Sequence, residues 1–438
     1  MSRKSLIICF AVLAVMMAGI GVAVSILYSG NESQKDTVGK VYDDSRYLLL
    51  PAVPSDAVML CCISDAEKAL PAFLTESEFP SVLASVIDQA DMQLGKMTVS
   101  IHFSGKLTPL YVFDMGKSSS EPSETAELVM QTAERFGMSA EYQDCSTLGS
   151  EYDVSGHSIV VASSSESLVK SSLRHLQKAV SVMDAPGFDE ASASVSGKDV
   201  VFLSNQTSGK ILSSLLTARY SSWSSFVPKI SDWMAFEASI SDGNITLDGK
   251  AVTDGDLEDF VSVFNNAGVS RSELSSVLPS YTLSAMTLPV KNTADYIADY
   301  QSFLDARQSL QTRVTKIEAL EKQTGISPIA FFTRLGAEEV ATASFVSGGN
   351  LEKVNLVRIS KPDTLENHAS QISPCCYSSY TSLVFGKLFE LPDESSFTYL
   401  NGWLISGSSK AVKEFAEGKA GKYTLKEWCG VDYKDVPK

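Results

Sequence analysis

Met97-Thr98-Val99-Ser100-Ile101-His102-Phe103 alternates strictly between apolar and polar side chains. Successive side chains of a β-strand point to opposite faces of the sheet, so Thr98, Ser100 and His102 share one face and the apolar residues share the other. This period is typical of an antiparallel sheet with one face on the core and the other in water. We therefore predict an antiparallel strand at 97–103 whose polar face, His102 included, is exposed to solvent.

Helical periodicity follows this strand along the chain. In residues 124–136 (ETAELVMQTAERF), the apolar side chains Ala126, Val129 and Ala133 recur at the spacing of one helix face. Strands with a period of two and helices with a period of 3.6 alternate through the rest of the chain. This order predicts an α+β fold in which helices pack on one face of an antiparallel sheet.

The same order of elements occurs twice. LGKMTVSIHF (94–103) resembles LGAEEVATASF (335–345), and the strand, Ser-rich turn and helix at 157–176 resemble 402–418. The matching segments keep their order at offsets of roughly 225–245 residues, which indicates an internal repeat. A shorter middle stretch has the marks of a strand, a helix, a hairpin turning at Asp242-Gly243-Asn244 and a further helix, which predicts a partial unit between two full ones.

An uncharged apolar run, Leu6–Leu27, precedes all of these elements. Its 22 residues span about 33 Å as a helix, enough to cross the hydrocarbon core of a bilayer. Arg3 and Lys4 flank it on the N-terminal side, and the next basic residue is Lys35. The positive-inside rule then places the N-terminus in the cytoplasm and the bulk of the chain outside, in the periplasmic or extracytoplasmic space.

Two other interpretations of this run compete with a membrane anchor. A cleaved signal peptide has a shorter apolar core, but Ala23-Val24-Ser25 fits a cleavage site, so cleavage stays open. A lipoprotein needs its acylated cysteine after the apolar run, whereas Cys9 lies near its start. We therefore divide the chain into a cytoplasmic tip (1–4), a transmembrane anchor (5–28), a linker (29–47), a first α+β unit (48–180), a partial middle unit (181–270) and a second α+β unit (271–438).

Charge and cysteine content limit the partners and the chemistry. Arg3 and Lys4 contribute +2 to the net charge of −16, so the remainder carries −18 and repels nucleic acid. The cysteines beyond the anchor are Cys61, Cys62, Cys145, Cys375, Cys376 and Cys429. An even number permits disulfides in an oxidising compartment, but their pairing stays open. Adjacent cysteines on a strand point to opposite faces, so Cys61 and Cys62 are not expected to bond each other.

Histidines and serines give weak signals for chemistry. The four histidines are His102, His157, His175 and His368, and no two have metal-binding spacing. We expect them at the surface or at helix ends. The Ser-rich turns at 163–166 and 406–409 follow a strand and precede a helix, a place that suits a nucleophile or an anion site. Neither has a nearby His in sequence, so we interpret both turns as helix caps.

The acidic and aromatic residues do not predict a functional site either. Glu338-Glu339 is a paired carboxylate, and the acidic cluster at 254–259 (Asp254, Asp256, Glu258 and Asp259) is interpreted as the first turn of a helix. Trp233 and Trp403 begin strands and are expected in the core. The stretch at 220–226 (YSSWSSF) suits a binding loop. No catalytic, cofactor-binding or metal-ligating residue is predicted.

One short motif carries a resemblance. After the anchor and the linker, the first strand opens with Pro54-Ser55-Asp56-Ala57. With the anchor, this Pro-x-Asp-Ala opening resembles uncharacterised single-pass bacterial envelope proteins grouped as a domain of unknown function. The second copy departs from it, with Ser280-Tyr281 in place of Ser55-Asp56. The resemblance implies a bacterial, extracytoplasmic α+β protein and transfers no catalytic residue.

These patterns lead to three functional hypotheses. The first is a membrane-anchored extracytoplasmic binding or scaffold protein of the bacterial cell envelope, held in the inner membrane through residues 6–27 and bound to another envelope protein or polymer. The second is a hydrolase of envelope or nutrient polymers, with carboxylates or a serine in a cleft between the units. The third is a structural spacer, which predicts no exposed apolar patch.

Overall fold

Two antiparallel sheets and the helices packed on them form the described part of the protein, and the predicted α+β class is confirmed. The computed structural model describes residues 45–66, 79–103, 105–146, 148, 153–178, 180–209, 226–241, 244–253, 257–264, 272–290, 292–362, 365, 371–375, 379–420 and 422–429. Within these residues no helix has both the length and the apolarity needed to cross a bilayer, and the run at 6–27 lies outside them.

The described residues divide into two compact units, unit 1 up to residue 253 and unit 2 from residue 257, with Phe226 assigned to unit 2. The strands of unit 1 are β1 (Met59–Ile63), β2 (Met97–Phe103), β3 (Leu107–Lys117), β4 (Ser139–Asp144), β5 (His157–Ser163), β6 (Asp199–Ser204), β7 (Trp233–Ser241) and β8 (Asn244–Val252). Its helices are α1 (Phe79–Gln89), α2 (Glu124–Arg135), α3 (Glu166–Lys178) and α4 (Phe188–Ala193). The strands form one sheet in the order β4-β5-β3-β2-β1-β6-β7-β8.

Helix α2 shows how local sequence sets an element. Ser123 caps its N-terminus by accepting a hydrogen bond from the Ala126 N–H at 3.2 Å. The side chains of Ala126, Val129 and Ala133 are buried against the sheet, as their spacing predicts.

Helices cover both faces of the unit 1 sheet. Val160 and Val161 are consecutive on β5, and both are fully buried. Val160 packs in the core that contains α1 and α2, whereas Val161 packs in the core that contains α3 and α4. The prediction of helices on one face is therefore wrong, because alternation shows which side chains share a face but not what covers that face.

Unit 2 has a smaller sheet. Its strands are β9 (Thr282–Pro289), β10 (Ala337–Ser347), β11 (Asn350–Ile359), β12 (Ser373–Pro374), β13 (Ser396–Leu400) and β14 (Trp403–Gly407), in the order β12-β13-β14-β11-β10-β9. Its helices are α5 (Thr293–Ala306), α6 (Leu310–Thr324), α7 (Pro328–Leu335), α8 (Tyr380–Phe385), α9 (Ser409–Ala416) and α10 (Leu425–Cys429). Leu356 packs with α9 on one face. Asn355 points to the other face and donates to the Phe389 carbonyl at 2.7 Å, so this sheet is also covered on both sides.

The two sheets share a repeated arrangement. The order β4-β5-β3-β2-β1 of unit 1 matches β13-β14-β11-β10-β9 of unit 2, and every neighbouring pair is antiparallel. The strands of the predicted middle unit do not form a separate sheet, since β6, β7 and β8 extend the sheet of unit 1 beyond β1. The 3-10 helix Phe260–Phe264, from the end of the same stretch, belongs to unit 2.

One row of residues aligns the two sheets. In unit 1 the first residue of β4 faces the last residue of β5. Following the paired residues from strand to strand across the sheet gives the row Ser139, Ser163, Leu110, Ser100 and Leu60. In unit 2 the first residue of β13 likewise faces the last residue of β14, and the row is Ser396, Gly407, Val354, Ala343 and Ala285. Ser100 therefore corresponds to Ala343, and His102, two residues further along, corresponds to Phe345.

Candidate functional site

A chain of hydrogen bonds runs from the core of unit 1 to its surface. The Ser100 Oγ lies 2.9 Å from the Nε2 of His102, and the Nδ1 of His102 lies 2.9 Å from the Oδ1 of Asp56. The His102 side chain is 2% exposed, whereas that of Asp56 is 67% exposed. We call these three residues the Ser–His–Asp chain.

Strand geometry and a turn bring the three residues together. Ser100 and His102 are two residues apart on β2 and therefore point to the same face. Asp56 lies in the turn before β1, which closes with a hydrogen bond from the Ala57 N–H to the Pro54 carbonyl at 3.2 Å. The next residue, Val58, donates its N–H to the Ile101 carbonyl at 2.8 Å and holds this turn beside β2.

The chemistry of the partners determines the proton positions. An ionised carboxylate only accepts hydrogen bonds, so the Nδ1–H of His102 donates to Asp56. In the neutral imidazole the Nε2 is then the acceptor, and the Ser100 hydroxyl donates to it. The hydrogen bond from His102 is the main cause that lowers the pKa of Asp56, against the opposing effect of partial burial.

The order Ser, His, Asp is that of the nucleophile, base and orienting acid of a serine hydrolase. A nucleophile must meet the carbonyl carbon of its substrate, however, and Ser100 is fully buried. Its neighbours across β1 and β3 are Leu60 and Leu110, which are also fully buried. The arrangement therefore satisfies polar groups inside the core and presents no attacking oxygen. The expected exposure of His102 is wrong, since α3 and the segment before β1 cover its face of the sheet.

Unit 2 places apolar groups at the matching positions. Ala343 replaces Ser100, Phe345 replaces His102, and Tyr281 follows Pro279-Ser280 as Asp56 follows Pro54-Ser55. The Tyr281 ring meets the Phe345 ring edge to face with centroids 6.0 Å apart. The same sheet position thus accepts either a polar chain or an aromatic pair, so the fold itself does not require the Ser–His–Asp chain.

The remaining histidines have separate partners. The Nδ1 of His157 lies 2.9 Å from the Oδ1 of Asp114, and the Nδ1 of His175 lies 2.7 Å from the Val180 carbonyl. His368 lies outside the described residues.

Both Ser-rich turns lead into helices. Ser408 caps α9, because its Oγ accepts from the Ala411 N–H at 3.1 Å, as predicted. Ser165 precedes α3, and its carbonyl accepts from the Leu168 N–H at 3.0 Å. The Ser163 Oγ donates to the Pro109 carbonyl at 2.7 Å and is fully buried. The hydroxyls of Ser408 and Ser163 therefore hold the start of α9 and the end of β5, whereas Ser165 bonds α3 through its backbone carbonyl.

Glu394 and Glu339 are buried carboxylates of unit 2 that accept hydrogen bonds from their own chain. Glu394 accepts hydrogen bonds from the Ser379 N–H at 3.0 Å, from the Thr381 and Ser406 hydroxyls at 2.7 Å each, and from the Asn355 amide at 3.4 Å. Desolvation raises its pKa nonetheless. With these donors around it, Glu394 is a structural acceptor and not a general base that faces a substrate.

Glu339, one half of the predicted acidic pair, is fully buried and bonds the hydroxyls of Ser272 and Thr287. Desolvation is the main cause that raises its pKa. The Arg358 guanidinium lies against both carboxylates, 3.3 Å from the Oε2 of Glu338 and 3.9 Å from the Oε2 of Glu339. The pair therefore faces a cation of its own chain.

Aromatic and cysteine predictions divide between described and undescribed residues. Trp233 and Trp403 begin β7 and β14 and are buried in their cores, as predicted. The loop at 220–225 and Cys376 lie outside the described residues. Cys61 and Cys62 are free thiols that point to opposite faces of β1, and burial raises the pKa of each to about 12. Among the described side chains, no group of three or more His, Cys, Asp or Glu is placed to hold a metal ion.

Comparisons with protein-family models, with curated proteins and with solved structures give no match to this chain.

The sequence patterns did not predict the Ser–His–Asp chain. The spacing of Ser100 and His102 was visible, but Asp56 lies 46 residues before His102, and only the fold brings them together.

The lowered pKa of Asp56 predicts a pH effect on stability. Because the folded state favours the ionised carboxylate, its stabilisation is complete above the ordinary Asp pKa of about 4 and is lost as pH falls through the lowered pKa of the folded state. Asp56→Asn is expected to be less stable than the wild type at pH 7, with the difference shrinking below about pH 4. Urea unfolding of the full chain from pH 2 to 7 measures this. Ser55→Ala, at the exposed neighbour, is the control, and an Asn variant with an unchanged pH profile contradicts the prediction.

The buried bond between Ser100 and His102 predicts non-additive mutations. Ser100→Ala leaves the Nε2 of His102 buried without its donor, at a cost of about 1–3 kcal/mol. The double variant Ser100→Ala/His102→Phe has the residues of unit 2 and is expected to lose less stability than the sum of the single variants, by about 0.5–3 kcal/mol. Native-state hydrogen exchange of β2 amides measures unit 1 separately. Strict additivity would show that the bond contributes nothing.

Proposed function

We propose that the protein is a membrane-anchored, extracytoplasmic binding or scaffold protein of the bacterial cell envelope. The anchor is the apolar run at 6–27, oriented by Arg3 and Lys4, with the bulk of the chain outside the inner membrane. The Pro54-Ser55-Asp56-Ala57 resemblance supports the same compartment. In this proposal the protein binds another envelope protein or polymer and has no hydrolytic activity of its own.

The observation that carries the binding role is an apolar surface at one end of the unit 2 sheet. Val346 and Leu351 lie directly opposite each other on β10 and β11 and are 46% and 61% exposed. They flank the hairpin turn at 347–350, where Gly348 and Gly349 adopt positive φ. We call this pair the hairpin patch. Contiguous exposed apolar surface is typical of interaction sites, and this opposed pair supplies such a surface at the end of the sheet, which supports a binding protein over a spacer.

The repeated strand order supports a further proposal, that units 1 and 2 descend from one duplicated α+β unit. The five matching strands and the shared Pro-Ser lead into β1 and β9 favour it. In this proposal unit 1 has gained β6, β7 and β8, whereas unit 2 has kept the shorter sheet and exposes the hairpin patch.

Mutating the hairpin patch tests the binding role. The wild-type chain is expected in the membrane fraction, sensitive to protease in spheroplasts, and to co-purify with a specific envelope component after gentle solubilisation. Val346→Asp/Leu351→Asp places charge on the patch and is expected to lower recovery of that component at least tenfold. Leu257→Asp, at another exposed apolar residue of unit 2, is the matched control. Equal recovery with all three proteins, or none with the wild type, counts against the proposal.

A hydrolase remains the second candidate, because the Ser–His–Asp chain has the bond lengths of a catalytic triad. The burial of Ser100 argues against it. A fluorophosphonate probe, which reacts with activated serines, is expected to leave the full chain unlabelled under conditions that label a known serine hydrolase. Labelling of the wild type that disappears in Ser100→Ala would replace the binding proposal with a hydrolase.

A further inference from the structure

The described sheets have four edges, and three of them carry features that discourage pairing with another strand. Edge strand β4 contains Glu141 and Asp144, β8 contains Asp248 and Lys250, and β12 is only two residues long. The fourth edge strand, β9, reads TLSAMTLP and contains no charged residue. It is therefore the edge best suited to accept a further strand.

The backbone of β9 points hydrogen-bonding groups away from its sheet. The Val290 N–H donates to the Glu338 carbonyl at 2.7 Å, which fixes the phase of the β9–β10 ladder. In an antiparallel pair, alternate residues exchange bonds with one neighbour, so Leu288, Met286 and Ser284 bond β10. Ala285 and Thr287 then direct their N–H and C=O groups outward.

Exposure identifies the open part of this edge. Leu283 is 65% exposed, and Ala285 beside it is also exposed. Thr287 is half-buried, and its hydroxyl donates to Glu339 at 2.5 Å. Pro289 ends the strand and has no N–H to donate. The part of the β9 edge whose backbone groups are open to another strand is therefore centred on Ala285.

The counterpart of β9 in unit 1 is β1, and the strand that pairs with its outer side shows what kind of partner this edge can accept. Ala285 corresponds to Leu60 of β1 in the row that aligns the two sheets. In unit 1 the outer side of β1 pairs antiparallel with β6, where the Ser204 N–H donates to the Val58 carbonyl at 2.9 Å and Leu60 faces Phe202. Among the described residues of unit 2, no strand takes the place of β6.

We propose that two copies of the chain associate by pairing their β9 strands antiparallel across a twofold axis at Ala285. In this register Ala285 faces Ala285 of the second copy, and their outward N–H and C=O groups complete a ladder between the copies. The small side chain lets the strands approach on the axis. Because β9 is uncharged, no like charges meet across the pair even though the whole chain is acidic. Each copy supplies the antiparallel strand that β6 supplies within unit 1.

Light scattering of the full chain in mild detergent, over a range of protein concentrations, tests this association. The wild-type protein is expected to reach twice the mass of one chain. Ala285→Pro removes the outward N–H while leaving the bonds from β9 to β10 in place, and it is expected to weaken dimerisation at least tenfold. Ala285→Asp places two carboxylates opposite each other and is expected to do the same without a backbone change. Protection of β10 amides from hydrogen exchange verifies that each variant is folded.

Cross-linking gives the register. Directly opposed residues in an antiparallel pair have Cα atoms about 5.5 Å apart, within the range that a disulfide spans. Ala285→Cys is expected to form a covalent dimer under mild oxidation, beyond any background from the native cysteines, whereas Leu351→Cys, exposed but away from this edge, is not. Val346→Asp is expected to keep the dimer, so failure of the envelope-binding proposal is distinguishable from failure of this one. A monomer at every concentration, a dimer that both Ala285 variants leave intact, or β9 paired with a different protein would overturn the inference.

Discussion

Burial of both faces of each sheet is the constraint on which the rest of the structure depends. A polar side chain on a central strand has no access to water, so it must find its hydrogen bonds inside the core or destabilise the fold by about 1–3 kcal/mol. Ser100 and His102 meet this requirement through each other and through Asp56. On the unit 2 sheet, the Ser406 hydroxyl donates to Glu394, and the Asn355 amide N–H groups donate to the Phe389 carbonyl and to Glu394. The buried polar clusters of this protein are therefore consequences of sheet packing before they are candidates for chemistry.

Local sequence predicted the elements well where the signal itself was local. Helix α2 has its cap and its buried stripe within a few residues of each other, and β2 spans the residues that its alternation predicts. The environment of the polar face of β2 was not predictable in this way. A period of two shows which side chains of β2 share a face. It does not show that α3 and the segment before β1, which are far from β2 in sequence, cover that face. The same limit hid Asp56 as the partner of His102.

The repeated strand order separates what the two units share from what is particular to unit 1. Five strands keep the same order in both units, and the row through Ser100 and Ala343 keeps the same register. Ser100 on that row corresponds to Ala343, and His102 corresponds to Phe345, while the strand order and the register stay the same. The extension by β6, β7 and β8 has a further consequence, because it makes β1 a central strand while its counterpart β9 stays at an edge. The order of elements along the chain could not predict this difference between β1 and β9. The strands of the middle stretch have the same sequence pattern whether they form a separate sheet or extend the sheet of unit 1.

The Pro-x-Asp-Ala motif can now be explained by packing alone. Asp56 is largely exposed, and its bond to His102, the middle member of the Ser–His–Asp chain, fixes the turn before β1 to β2. In unit 2 the ring of Tyr281 reaches Phe345 from the same place and fixes the equivalent turn by an apolar contact, while its hydroxyl bonds Glu414 at 3.0 Å. Two different chemistries thus perform one mechanical task at equivalent positions. A residue that an aromatic pair can replace is one that positions a strand, and this supports our proposal that the protein acts through its exposed surfaces.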